Sequence, residues 1–101
     1  LFMKFNSLLP EMVVLDIKES LKFYVDLLGF KIEYSRDKFV FLSFQGSQIM
    51  LSENQDWWTQ TKLERPFGRG INFEIKSNNV ELMVKKLNEK NYPLFKEIEE
   101  N

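Results

Sequence analysis

Along the first thirty residues the apolar positions change their period twice. Residues 8–15 form an apolar run broken only by Pro10 and Glu11, which predicts a strand buried on both faces. From Asp16 the spacing becomes helical, with Ile17, Leu21, Tyr24 and Leu28 on one face. Asp16 can accept from the first-turn N–H groups while Glu19 reaches back, the pattern of a capping box. Gly29 supplies the left-handed residue that stops the helix, and Phe30 opens a returning strand. Residues 30–34 alternate apolar and polar, Arg36-Asp37 makes a short turn, and residues 38–44 are dense in Phe, Val and Leu. Gln45-Gly46-Ser47 then turns the chain into a last strand over residues 48–52. One strand, one helix and three antiparallel strands follow.

Residues 54–69 keep no period. They are polar, hold Trp57, Trp58, Pro66 and Gly68, and are long for a connection in so small a domain, as functional loops often are. From Ile71 the alternation returns, with Ile71, Phe73 and Ile75 on one face and Asn72 and Glu74 on the other. Asn78-x-x-Glu81 repeats the capping box, and Val80, Met83, Val84 and Leu87 form a buried stripe. Asn91 stands thirteen residues after Asn78, as Gly29 does after Asp16, and an aromatic follows each (Tyr92, Phe30). This repetition predicts an internal duplication; two unrelated βα units are the alternative. After the second helix the remaining residues suffice for one strand where the first unit has three, so the second unit is expected to be incomplete. The expected organisation is one domain over residues 1–101: module one at about 6–53, a loop over 54–69, and module two from 70 to 101.

Composition narrows the function classes. A formal net charge of −1 gives no uniformly basic surface, which argues against nucleic acid as a partner. Lys85, Lys86 and Lys90 share a predicted helix with Glu81 and Glu89 and read as a solvated face. No apolar run approaches the length of a membrane span, and there is no cysteine, which fits a cytoplasmic protein without disulfides. The chain also has no histidine. It therefore lacks the commonest general base near neutral pH and the commonest nitrogen ligand for zinc, nickel or iron.

Two phrases carry a family resemblance: Leu15-Asp16 followed by Ser20-Leu21-x-Phe23-Tyr24-x-x-Leu27-Leu28-Gly29-Phe30, and LERPFGRGINFEI over residues 63–75. They resemble the vicinal-oxygen-chelate superfamily, which includes glyoxalase I, extradiol dioxygenases and bleomycin-resistance proteins, and most of all its bleomycin-resistance-like branch. The resemblance implies an α+β fold of paired βαβββ modules, the second truncated, in which each sheet forms a cup. In the superfamily's enzymes that cup holds a metal on His and Glu side chains. The corresponding positions here are Leu9, Met50 and Gly70, with Asn72 two residues beyond Gly70. A thioether suits copper(I) rather than the harder ions of this chemistry, so no metal and no cofactor are expected. Glu11 and Glu74 could share the cup as a carboxylate pair, or be solvated or paired with Arg65 or Arg69.

Without a metal, Phe39, Phe41, Ser43, Gln48, Met50, Ser52 and Asn72 would line an apolar hollow with scattered hydrogen-bonding groups, unless they are plain core. Trp57 and Trp58 cannot both face one core, so one meets a partner subunit or a flat ligand. In the resembled resistance proteins a planar cationic drug lies between two subunits. That implies an aromatic wall and nearby carboxylates, for which Trp57, Trp58, Phe67, Asp56 and Glu53 are candidates by position. The expected protein is a homodimer that sequesters a small aromatic molecule. A metal-dependent lyase, epimerase or dioxygenase of the same superfamily is the alternative.

Overall fold

The structure is a computed structural model, and it describes residues 4–53 and 70–92. The chain enters a short strand β1 (Glu11–Val14) and then a helix α1 (Ile17–Leu21), which widens into a π-helical segment (Lys22–Leu27). Three strands follow, β2 (Lys31–Arg36), β3 (Phe39–Phe44) and β4 (Ser47–Glu53), and later a second helix α2 (Val80–Glu89). The sheet order is β1-β4-β3-β2. The β2–β3 and β3–β4 pairs are antiparallel, and the crossover through α1 brings β1 parallel to β4. This is the α+β arrangement of strand, helix and three antiparallel strands that the hydrophobic pattern predicts.

One face of the sheet makes the core. Leu42 and Leu51 are fully buried, Val40, Ile49 and Phe30 nearly so, and Met12, Val14, Ile17, Leu21, Tyr24, Val25, Leu28 and Phe44 pack around them. Phe30 stacks on Phe44 with ring centroids 5.1 Å apart and meets Tyr24 edge-on at 5.6 Å. Burial holds the Tyr24 phenol above its ordinary pKa, so it packs as a neutral group.

Both helix ends are chemically explicit. Asp16 Oδ1 accepts from Lys18 N at 2.9 Å and Glu19 N at 3.4 Å, while Glu53 Oε1 accepts from Ile17 N at 3.2 Å. Glu19 does not reach back as a capping box requires; it pairs with Lys22 at 2.9 Å, a neighbour one turn on. The α2 cap is Asn79 rather than Asn78: its Oδ1 accepts from Leu82 N at 3.0 Å, and Asn78 N donates to Gln45 Oε1 at 2.7 Å. The stops are as expected, with Gly29 at φ +90° and Asn91 at +59°. Asn91 thus follows its cap by twelve residues and Gly29 by thirteen. The π-helical segment absorbs that one extra residue. Leu28 N donates to Phe23 O, five residues back, and Phe30 N to Tyr24 O, six back, where Tyr92 N reaches only to Leu87 O.

Three expectations are corrected. The first strand spans only Glu11–Val14 and lies at the sheet edge, so it is not buried on both faces; Leu8 and Leu15 are exposed. Pro10, lacking an N–H, stands just before it and contributes only its carbonyl, which accepts from Met50 N at 2.9 Å. Residues 71–77 form no strand, and Ile71, Phe73 and Ile75 are exposed, because among the described residues no ladder partner pairs with them. In α2, Val80 is exposed while Met83, Val84 and Leu87 are half-buried.

Two substitutions test this account by urea denaturation. Leu42→Ala, at a fully buried position, is expected to lower stability by about 2–5 kcal/mol. Asp16→Ala removes the α1 cap and is expected to cost about 1 kcal/mol with an unchanged denaturant slope.

Candidate functional site

Cross-strand pairs share a face, so the register defines the side of the sheet turned away from α1. Its first row is Lys31, Ser43 and Gln48, its second Tyr34, Phe41, Met50 and Glu11, and its third Arg36, Phe39, Ser52 and Val13. Five residues expected at the site, Phe39, Phe41, Gln48, Met50 and Ser52, therefore share one face with Ser43. Asn72 is exposed in the segment without a strand and joins no row. Trp57, Trp58, Phe67 and Asp56 lie outside the described residues. Glu53 belongs to the other face, where its carboxylate caps α1, and so it is not a carboxylate of this site.

The face is not bare. Phe5 meets Phe41 edge-on, with ring centroids 5.3 Å apart, and Phe41 is only 3% exposed. Gln48 holds the same N-terminal segment. Its Nε2 donates to Lys4 O and its Oε1 accepts from Asn6 N, both at 2.7 Å, while Asn6 Nδ2 donates to Gly46 O at 2.8 Å. Phe5 nevertheless keeps 55% of its surface in solvent. The segment is anchored by hydrogen bonds to exposed groups rather than by burial. At the opposite end, Ser52 Oγ is buried and has no hydrogen-bond partner among the described residues, which is costly for a hydroxyl.

Further groups on this face escaped the sequence pattern because of a bulge in β2. Ile32 pairs with Leu42 on the core side, but the register shifts before Tyr34, which pairs with Phe41 on the open side. Strict alternation would have put Ile32 and Tyr34 together. The bulge also turns Glu33 so that Ser43 Oγ donates to its Oε1 at 2.8 Å, with Lys31 Nζ 3.7 Å away. Arg36 lies over the Phe39 ring at 4.5 Å, a cation–π contact. Away from this face, a hollow of about 280 Å³ opens between the π-helical segment and the end of α2, lined by Lys22, Asp26, Leu27, Lys90 and Tyr92.

Leu9 and Gly70 offer no ligating side chain and Met50 only a thioether, opposite an exposed Glu11. Among the described residues no group of three or more acidic side chains converges as an ion would need. At these three positions the side chains do not fit the superfamily's metal. Glu74 is exposed in the strandless segment, and no hydrogen bond or salt bridge among the described residues joins it to Glu11.

Comparison with known proteins agrees with the fold. A profile of the glyoxalase domain-containing protein 4-like, C-terminal domain family matches residues 16–99. The chain belongs to that family, within the glyoxalase/bleomycin resistance/dioxygenase superfamily. Among solved structures, a superfamily member from Vibrio splendidus is 36% identical over 78% of this chain and 63% of its own, with a TM-score of 0.42. A hypothetical protein from S. aureus is 26% identical, covering 86% of this chain and 70% of its own at a TM-score of 0.62. A glyoxalase/bleomycin resistance protein/dioxygenase from Nocardioides is 18% identical over 94% of this chain and 68% of its own, at 0.63. This glyoxalase-family chain thus spans less than two thirds of the Vibrio protein's length. No curated protein matches it significantly. No helix among its described residues is long and apolar enough to cross a membrane.

The orphan hydroxyl yields a prediction. Ser52→Ala removes an unsatisfied buried group at little loss of volume, and is expected to raise stability by up to about 1 kcal/mol in urea denaturation.

Proposed function

We propose that this protein is a metal-free small-molecule binder, which takes a planar aromatic ligand on the sheet face turned away from α1, in place of the Phe5 ring, and sequesters it at a crevice completed by a second copy. The observation that carries this reading is the substitution of side-chain donors at the superfamily's metal positions by Leu9, Met50 and Gly70, on a chain whose sheet face keeps Phe39, Phe41, Tyr34 and Met50. Metal-dependent isomerisation or oxygenation needs imidazole and carboxylate ligands. Binding needs only apolar area and a few oriented polar groups, and this face has both.

Several features support the details. The ring of Phe5 rests on Phe41 while half exposed, so an aromatic group fits there and is only loosely held. Glu33, aimed across the face by the β2 bulge, is a counter-charge for a cationic substituent. Dimerisation is favoured by the short edge strand β1 and the exposed row Ile71, Phe73 and Ile75, surfaces that a second copy could cover. Sequestration then consists of burying planar apolar surface and pairing charge, with no bond broken.

Thermal-shift measurements against planar aromatic compounds, cationic and neutral, test the reading. A ligand that prefers the folded state adds about 2.7 kcal/mol of stability at 100 times its Kd, and the melting temperature is expected to rise with concentration accordingly. Elemental analysis of purified protein is expected to find no stoichiometric metal. Stoichiometric zinc, nickel, iron or manganese would overturn the proposal in favour of the enzyme.

A further inference from the structure

We infer that the open face recognises an N-acylated aromatic amino-acid amide, with the ring on Phe41 and the two flanking amide groups paired with the side chain of Gln48. This inference rests on the binding reading above and names the chemistry of its ligand. Residues 4–6 are held on the sheet in a way that displays this chemistry. Around Phe5, the preceding carbonyl (Lys4) accepts from Gln48 Nε2 and the following N–H (Asn6) donates to Gln48 Oε1, each at 2.7 Å. In an extended chain these two groups point to the same side and are normally read together by a neighbouring strand. Here one primary amide supplies both the donor and the acceptor. The atoms so engaged are an acyl carbonyl, an aromatic residue and an amide N–H, which together make up an N-acyl phenylalanine amide.

The receiving groups belong to the sheet rather than to the segment. Gln48 lies opposite Ser43 in the β3–β4 ladder, and Phe41 is nearly buried opposite Met50, so both are positioned by backbone pairing. The segment itself is more weakly committed, since Phe5 is 55% exposed and Asn6 adds one bond, to Gly46 O. As a tethered occupant it competes with a free ligand of the same chemistry and lowers that ligand's apparent affinity by the fraction of time it is seated.

The probe is N-acetyl-L-phenylalanine amide, titrated by NMR into the full chain and its variants, with thermal melts confirming that each is folded. Phe5→Ala combined with Asn6→Pro, at two exposed positions, is expected to bind the probe about five-fold more tightly than the unaltered chain, because the competing ring and the N–H seated on Gln48 Oε1 are both gone. Adding Gln48→Ala to that variant is expected to abolish the gain. Gln48→Glu, which keeps the acceptor and loses the donor, is expected to retain part of it. N-acetyl-L-alanine amide is expected not to bind. Equal affinity for the probe in the unaltered chain and the double variant, or a gain that survives Gln48→Ala, would overturn the inference. Naphthalene-based ligands that bind the double variant regardless of Gln48 would leave the binding function standing and sink only the amide chemistry. Failure of every aromatic compound to bind any variant would sink both.

Discussion

A four-stranded sheet has two faces, and the βαβββ connection supplies one helix to cover one of them. That mismatch governs the molecule. On the helix side Val40, Leu42, Ile49 and Leu51 close against α1 and the Phe30–Phe44 stack, and this face provides the stability. On the other side Phe39, Phe41, Tyr34 and Met50 still require cover, and within the described chain Phe5 provides some of it. Among the described residues the ring seated on that face is Phe5, itself half-exposed, and Phe41 beneath it is nearly buried.

The chemistry available on that face follows from which side chains the strands bring there. Ionic groups stand towards its β2 edge, at Lys31, Glu33 and Arg36, with Glu11 exposed on β1 at the other. The middle holds rings, a thioether, a serine and one primary amide. Such a set can orient and desolvate a guest. It has no histidine to shuttle a proton, and among the described residues no donors converge to hold an ion. Family membership therefore defines the scaffold, while the lining decides what the scaffold does with a ligand.

The two helices share a pattern of cap and stop that differs by one residue in length. Each opens on an Asp or Asn cap and closes on a left-handed residue followed by an aromatic, and Phe23 meets Tyr92 where the helices approach, 5.5 Å apart. The first carries one residue more, taken up by lengthening the backbone bonds from four residues to five and six near its end. The apolar stripe barely moves, because Tyr24, Val25 and Leu28 still reach the core.

What the sequence determined by itself was local and periodic: the cap at Asp16, a second cap placed one residue early at Asn78, the stops at Gly29 and Asn91, the order of strands and helix, and the shared face of Phe39, Phe41, Gln48, Met50 and Ser52. Each depends on spacing along the chain, which a one-dimensional pattern records fully. Only the tertiary structure decided the rest. The β2 bulge moved Tyr34 and aimed Glu33 across the face, Glu53 turned to α1 instead of the site, and residues 71–77 stayed unpaired. The N-terminal segment settled on Gln48. These outcomes depend on which backbone groups find partners distant in the chain, and local spacing carries no record of that.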